Sequence, residues 1–141
     1  MNHPIPSSLW DAHAGTVFAV FDGRQETAIT IGTSCSRVDR LLMIRGVHRA
    51  AFVTAWAPRS RPCSRVANRR PHQRLRGIIG RRGRRRLPGE GRSPQAERAS
   101  EPSLLILGTP LRDAAILGRS FGQNAVVFVE RGRPARLVPS R

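Results

Sequence analysis

Lysine and tyrosine are both missing from this chain, and acidic residues are scarce: nine, against twenty-five cationic side chains that are all arginine. The imbalance leaves a formal net charge of +16 at neutral pH over 141 residues. Such a surface draws polyanions through long-range fields and repels other cationic surfaces. Aromatics are few, five Phe and two Trp, so a core must be mostly aliphatic. No apolar run approaches the roughly 20 residues that span a bilayer, which excludes a helical membrane anchor and predicts no membrane partner. Met1–Trp10 carries no basic stretch leading into an apolar one, so no secretory leader is expected. The only two cysteines, Cys35 and Cys63, lack metal-type spacing. With no export signal they are expected to be free thiols in a reducing cytoplasm. His3, His13, His48 and His72 share no ligand spacing with them or with carboxylates. No metal or cofactor is expected. Gly89-Glu90-Gly91 lacks the third glycine of a phosphate-cradling loop, and Pro94 opposes a helix opening there.

What is present is unevenly placed. Twelve arginines fall between Arg59 and Arg86, a stretch without one acid. The absence of lysine cuts against reading all of them as selected, because either cation neutralises a phosphate. Scattered arginines such as Arg24, Arg37, Arg112 and Arg141 fit a background bias. A solvated basic face and a polyanion-binding face both remain open for the run.

The length suits one domain with a real core. Residues 1–15 read as a loose lead-in, and 16–141 as a single domain. Thr16–Phe21 is a β-branched and aromatic run ended by Asp22-Gly23, and Thr27–Ile31 alternates with period two, which predicts a hairpin. Ser36 and Asp39 open a short helix with Val38, Leu41 and Leu42 on one face, stopped by Gly46. Ala51–Trp56 is an apolar strand. Within the arginine run, Ala67, Pro71, Leu75, Ile78 and Ile79 share one helical stripe, with Arg65, Arg69, Arg74, Arg76 and Arg81 outside it. A mid-helix proline costs about 3 kcal/mol, so Asn68 is expected as the cap and Pro71 in the first turn. Arg84–Leu87 is a short strand, and residues 88–102 a mobile loop. Ser103–Leu107 suits a sheet interior. Thr109 is expected to cap a helix with Pro110 first and Leu111, Ala114, Ala115, Gly118 and Phe121 buried. Gly122 stops it. Ala125–Val129 and Arg136–Val138 are the last strands, joined by a turn at Arg131-Gly132. The fold class is α+β, a mixed α/β sandwich. One mostly mixed sheet of five to seven short strands carries about three helices, mainly on one face.

Four blocks of this arrangement resemble one bacterial family of small proteins: Thr54–Pro58, Leu87–Gly91, Glu101–Leu104 and Phe121–Ala125. It is known as domain-of-unknown-function family 3293, and the resemblance covers about Ala51 to Val138. The chain departs from that family's usual pattern at Ala57, at Ala67 and at Ala99–Ser100. The resemblance implies a fold and a site region but supplies no activity.

Polar residues wedged between apolar elements form the candidate ligand site: Trp56, Glu90, Glu101, Ser103, Gln123 and Asn124. If the strands around Ala51, Ser103 and Ala125 are neighbours, these loop ends converge at one sheet edge, where α/β ligand sites lie. The alternative is structural, with Gln123 and Asn124 closing a turn and Glu101 bonding loop N–H groups. No catalytic residue is assigned, since no nucleophile, base and oxyanion donor come together. The polyanion-binding candidates are Arg69, Arg70, Arg74, Arg76, Arg81 and Arg82. With no aromatic interleaving for base stacking, contacts there would be to phosphates and nearly independent of sequence. Three functions follow. The first is a non-catalytic binding or interaction module of unknown ligand. The second is a nucleic-acid-associated protein using the arginine helix. The third is a hydrolase-like enzyme built on Glu90 and Glu101.

Overall fold

The computed structural model describes residues 15–55, 65–94 and 100–140. Residues 1–14 of the lead-in, Trp56, Cys63 and the departures at Ala57 and Ala99 lie outside them. Seven strands form one sheet: β1 (Val17–Asp22), β2 (Gln25–Ile29), β3 (Arg49–Val53), β4 (Arg86–Arg92), β5 (Glu101–Leu107), β6 (Ala125–Glu130) and β7 (Arg136–Pro139). Among the described residues three helices accompany them: α1 (Ser36–Ile44), α2 (Arg65–Arg81) and α3 (Leu111–Ser120). The spatial order is β2-β1-β4-β5-β3-β6-β7. The α+β class, seven strands and three helices match the sequence pattern. All six ladders are antiparallel, so the mixing of directions is confined to one isolated parallel bridge, Ile31 to Ala135.

That bridge has an architectural effect. Ile31 follows β2 and Ala135 precedes β7, the two edge strands, and the Gly32 N–H donates to the Ala135 carbonyl at 2.7 Å. The sheet therefore curls until its edges meet. Side chains of both edges, Ile29 on one side and Ala135 and Leu137 on the other, join one core with Phe18, Val20, Phe52, Leu87, Leu105 and Val127. The Phe18 and Phe52 rings meet edge to face at 5.2 Å. Val38, Leu41 and Leu42 of α1 plug this concave side. A second core lies on the convex face, where Leu75 and Ile79 of α2, Ala114 and Leu117 of α3 and Phe121 just after it cover Ala51, Val53, Leu104, Ile106 and Phe128. The central strands, buried on both faces, therefore read as continuous apolar runs.

The three described helices end alike. Glycine in the left-handed region follows each (Gly46, Gly83, Gly122), and the next N–H reaches back across the last turn: Val47 to Leu42, Arg84 to Ile79, Gln123 to Gly118. This reciprocal closure satisfies carbonyls the helix leaves over.

Two expectations need correction. Asn68 does not cap α2. The helix already runs from Arg65, Asn68 is 1% exposed, and Pro71 sits inside the helix. Asn68, Leu75 and Ile79 stand seven and four residues apart on one buried stripe, and packing along it outweighs the bond Pro71 cannot donate. The loop expected over residues 88–102 is also narrower, since β4 continues to Arg92 and β5 starts at Glu101. Pro88 is accommodated because the β1–β4 ladder ends at Val20–Gly89, one residue short of it.

Candidate nucleic-acid interface

The register decides which candidate residues come together. β3 lies between β5 and β6, so the strands around Ala51, Ser103 and Ala125 are neighbours. The end of β4, the start of β5, the end of β3 and the start of β6 share one end of the sheet. Glu90 and Glu101 are both there, yet not on one face. Cross-strand partners share a face, and Glu101 pairs with Gly91 while Glu90 pairs with Pro102. Gly91 lies against Phe18 on the concave side, so Glu90 points to the convex side. Two carboxylates on opposite faces cannot act on one bond, which removes the acid–base pair.

Each candidate at this edge has a local part. Arg92 donates to Glu90 at 2.8 Å and to Glu26 at 2.6 Å, and its guanidinium lies over the Phe21 ring. The Arg92 hydrogen bond holds the Glu26 carboxyl below its usual range, and both carboxylates raise the Arg92 pKa. Ser103 is buried and donates to the Glu101 carbonyl at 3.1 Å. The hydroxyl of Thr54 reaches the Pro102 carbonyl at 2.9 Å. The Gln123 side chain donates to Phe121, its carbonyl accepts from the Ser140 hydroxyl, and the Asn124 carbonyl accepts from the Ser140 N–H. Gln123 and Asn124 thus tie the α3–β6 turn to the end of β7.

The arginine candidates are arranged differently. Arg69, Arg70, Arg74, Arg76, Arg81 and Arg82 are all exposed. Ion pairs hold Arg45 to Asp22, Arg84 to Asp113, Arg92 to Glu26 and Glu90, and Arg136 to Glu130. Among the described residues, none of these six arginines, five on α2 and Arg82 just past its end, pairs with a carboxylate. Arg74 alone is braced, its guanidinium 5.5 Å from the Phe121 ring centre. At about 100° per residue, Arg69 and Arg76 form one row, and Arg70, Arg74 and Arg81 a second. Gln73, Gly77 and Gly80 lie between the rows. The buried stripe of Asn68, Leu75 and Ile79 faces the other way, so packing fixes which side the cations present.

A family model with the description "Protein of unknown function (DUF3293)" matches residues 53–126. The chain belongs to this family. The matched stretch runs from the end of β3 through α2, β4, β5 and α3 to the start of β6, so the arginine helix and the convex-face core lie inside the family domain. No curated protein and no solved structure matches the chain. Among the described residues no helix is long and apolar enough to cross a membrane, and no three His, Cys, Asp or Glu side chains are placed to hold a metal ion.

His72 sits on the flank of the buried stripe. Its Nδ1 has no hydrogen-bond partner among the described residues, and burial, then the Arg76 charge, push its pKa below 6.5. The unfolded chain takes up a proton at the ordinary histidine value while the folded one resists it. Stability is therefore expected to hold above about pH 6.5 and to fall as pH drops from there towards the lowered folded value. Urea midpoints between about pH 7 and pH 5.5 check this. His72→Gln should flatten that decline, and an unchanged slope in the variant would contradict it.

Sequence reasoning missed Arg84, Thr109 and Asp113, which meet where α2 ends and α3 begins. Thr109 was expected as the α3 cap. Instead Pro110 takes the cap position and no side chain caps the helix. Only the tertiary approach of two helix ends assembles this group, and no local pattern encodes that.

Proposed function

We propose that this family member is a non-catalytic binding module whose partner is nucleic acid, gripped through its phosphates by the outer face of α2. The observation that carries this is an exposed set of six arginines, free of carboxylate partners among the described residues: five on α2, held outward by the packing of Leu75 and Ile79, and Arg82 just past its end. Phosphates supply the missing counter-charge. Duplex DNA is favoured over duplex RNA. A helix with its side chains is about 10–12 Å across, close to the width of the B-form major groove, whereas the RNA major groove is too narrow to admit it. With Gln73, Gly77 and Gly80 along its centre line, α2 would lie in the groove with an arginine row towards each strand. Contacts of this kind position the protein without reading much sequence.

Fluorescence anisotropy with a short labelled duplex tests the proposal. The triple variant Arg70→Gln, Arg74→Gln, Arg76→Gln is expected to bind at least roughly tenfold more weakly than the parent at equal salt. A control triple, Arg24→Gln, Arg37→Gln, Arg133→Gln, removes the same charge from exposed sites elsewhere and should weaken binding far less. Equal losses in the two triples would mean that net charge alone attracts the duplex, and the proposal would fail.

A further inference from the structure

α3 lies beside α2 on the convex face and runs antiparallel to it. Ala114 and Leu117 share the core that holds Leu75 and Ile79. Arg84, just past the end of α2, meets Asp113 in the first turn of α3 at 3.5 Å, and Arg74 lies over the ring of Phe121, just after α3. The row of Arg70, Arg74 and Arg81 is therefore the one on the α3 side. The sheet fixes the height and rotation of α3 closely: a Cβ at Gly118 would stand 2.6 Å from Val126 and 3.2 Å from Ser140. With Ala114, Leu117 and Gly118 turned inward, Arg112, Ile116 and Arg119 form the opposite stripe, spaced by four and three residues. All three are exposed, Ile116 by 52%. Folding accounts for neither of the first two. Arg112 stands in the first turn, where the positive end of the helix dipole disfavours a cation, and Ile116 leaves an apolar side chain in water. Among the described residues neither Arg112 nor Arg119 pairs with a carboxylate, and the adjacent Asp113 is engaged by Arg84. Arg112, one of the scattered arginines in the sequence, thus joins Arg119 on a common outward face.

We propose that α3 is a second arm of the grip on duplex DNA, with Arg112 and Arg119 binding phosphates of the strand on the α3 side of the groove. This inference rests on the placement of α2 in the major groove. Packed helices stand about 8–10 Å apart, and the major groove is about 12 Å wide. With α2 on the centre line of the groove, α3 therefore overlies the backbone of one flanking strand rather than the groove. Seven residues of helix separate Arg112 from Arg119 by about 10 Å, so the two guanidinium groups reach different phosphates. The grip is then unequal. The strand beside α3 meets Arg70, Arg74 and Arg81 from one helix and Arg112 and Arg119 from the other, whereas the opposite strand meets only Arg69 and Arg76. Such contacts fix how the protein sits on the duplex and read no bases.

Anisotropy with the same labelled duplex tests this through variants of the α3 stripe. The double variant Arg112→Gln, Arg119→Gln is expected to bind roughly fivefold or more weakly than the parent at equal salt. A control double, Arg24→Gln, Arg133→Gln, removes the same charge from exposed turns away from the convex-face helices and should lose less than about twofold. Ile116→Glu places a carboxylate four residues from Arg112 and three from Arg119, where it pairs with both and repels the strand. It should weaken binding at least as much as the α3 double. Ile116→Gln, with the same shape and no charge, should stay within about twofold of the parent. A loss in the α3 double no larger than in its control, or an Ile116→Glu variant that binds as the parent does, would overturn the second arm. If that happens while the α2 triple still falls below its own control, the α2 grip stands and only the role of α3 fails. An α2 triple that matches its control removes the grip and this arm together.

Discussion

Replacing Gly89 with alanine is expected to cost about 3 kcal/mol of folding stability, near the top of the range for overpacking a core. Gly89 lies in β4 opposite Val20 of β1 and Ser103 of β5, and a Cβ there would stand 2.5 Å from the Ala19 carbonyl oxygen and 2.8 Å from the Phe52 ring. The carbonyl belongs to the β1–β4 ladder and cannot retreat without breaking it. The Phe52 ring is itself wedged against Phe18 in the concave core. For a domain of this size the melting temperature should fall by roughly 10 °C. Gly91 is the control in the same strand. Its Cβ would meet only the Phe18 ring, at 3.9 Å, an ordinary contact. Gly91→Ala should therefore change stability by no more than about 0.5 kcal/mol. Thermal melts in which both substitutions behave alike would contradict the close approach of β4 to Phe52.

The second large effect is in binding. If Arg69, Arg70, Arg74, Arg76, Arg81 and Arg82 all engage phosphates of a B-form duplex, log affinity should fall with log salt at a slope near −5. Raising salt from about 50 to about 200 mM should then weaken binding roughly a thousandfold. In the Arg70/Arg74/Arg76→Gln variant the slope should flatten to about −2.5, in proportion to the contacts removed. A slope shallower than about −2 in the parent, or one the triple variant leaves unchanged, would rule out a grip by these arginines. The magnitude separates this from casual surface attraction, which would decline by the same amount wherever three charges were deleted.

Much of the architecture is legible from local patterns because its signals are local. Val38, Leu41 and Leu42 mark the buried side of α1, Leu75 and Ile79 that of α2, and Ser103–Leu107 reads as interior strand because both of its faces are covered. The stops at Gly46 and Gly122 follow from a conformation only glycine adopts cheaply. What the sequence hid is non-local. Pro88-Gly89-Glu90-Gly91 has the composition of a loop but forms a central strand, since Phe52, thirty-seven positions earlier, needs the bare glycine beneath its ring. The curl of the sheet depends on Ile31 meeting Ala135, a contact no periodicity announces. The start of α2 was misplaced because Asn68 resembles a cap while its burial comes from tertiary packing. The site residues divide the same way. The outward direction of the arginines is readable from a helical wheel, whereas the separation of Glu90 and Glu101 needs the pairing of β4 with β5.

Mapping amide chemical shifts of the protein as a short DNA duplex is added tests the central claim most directly. The largest changes are expected along α2, from Arg69 to Arg82, with the sheet end around Glu90, Glu101 and Asn124 left nearly unmoved. A map centred on that sheet end, with α2 silent, would contradict it.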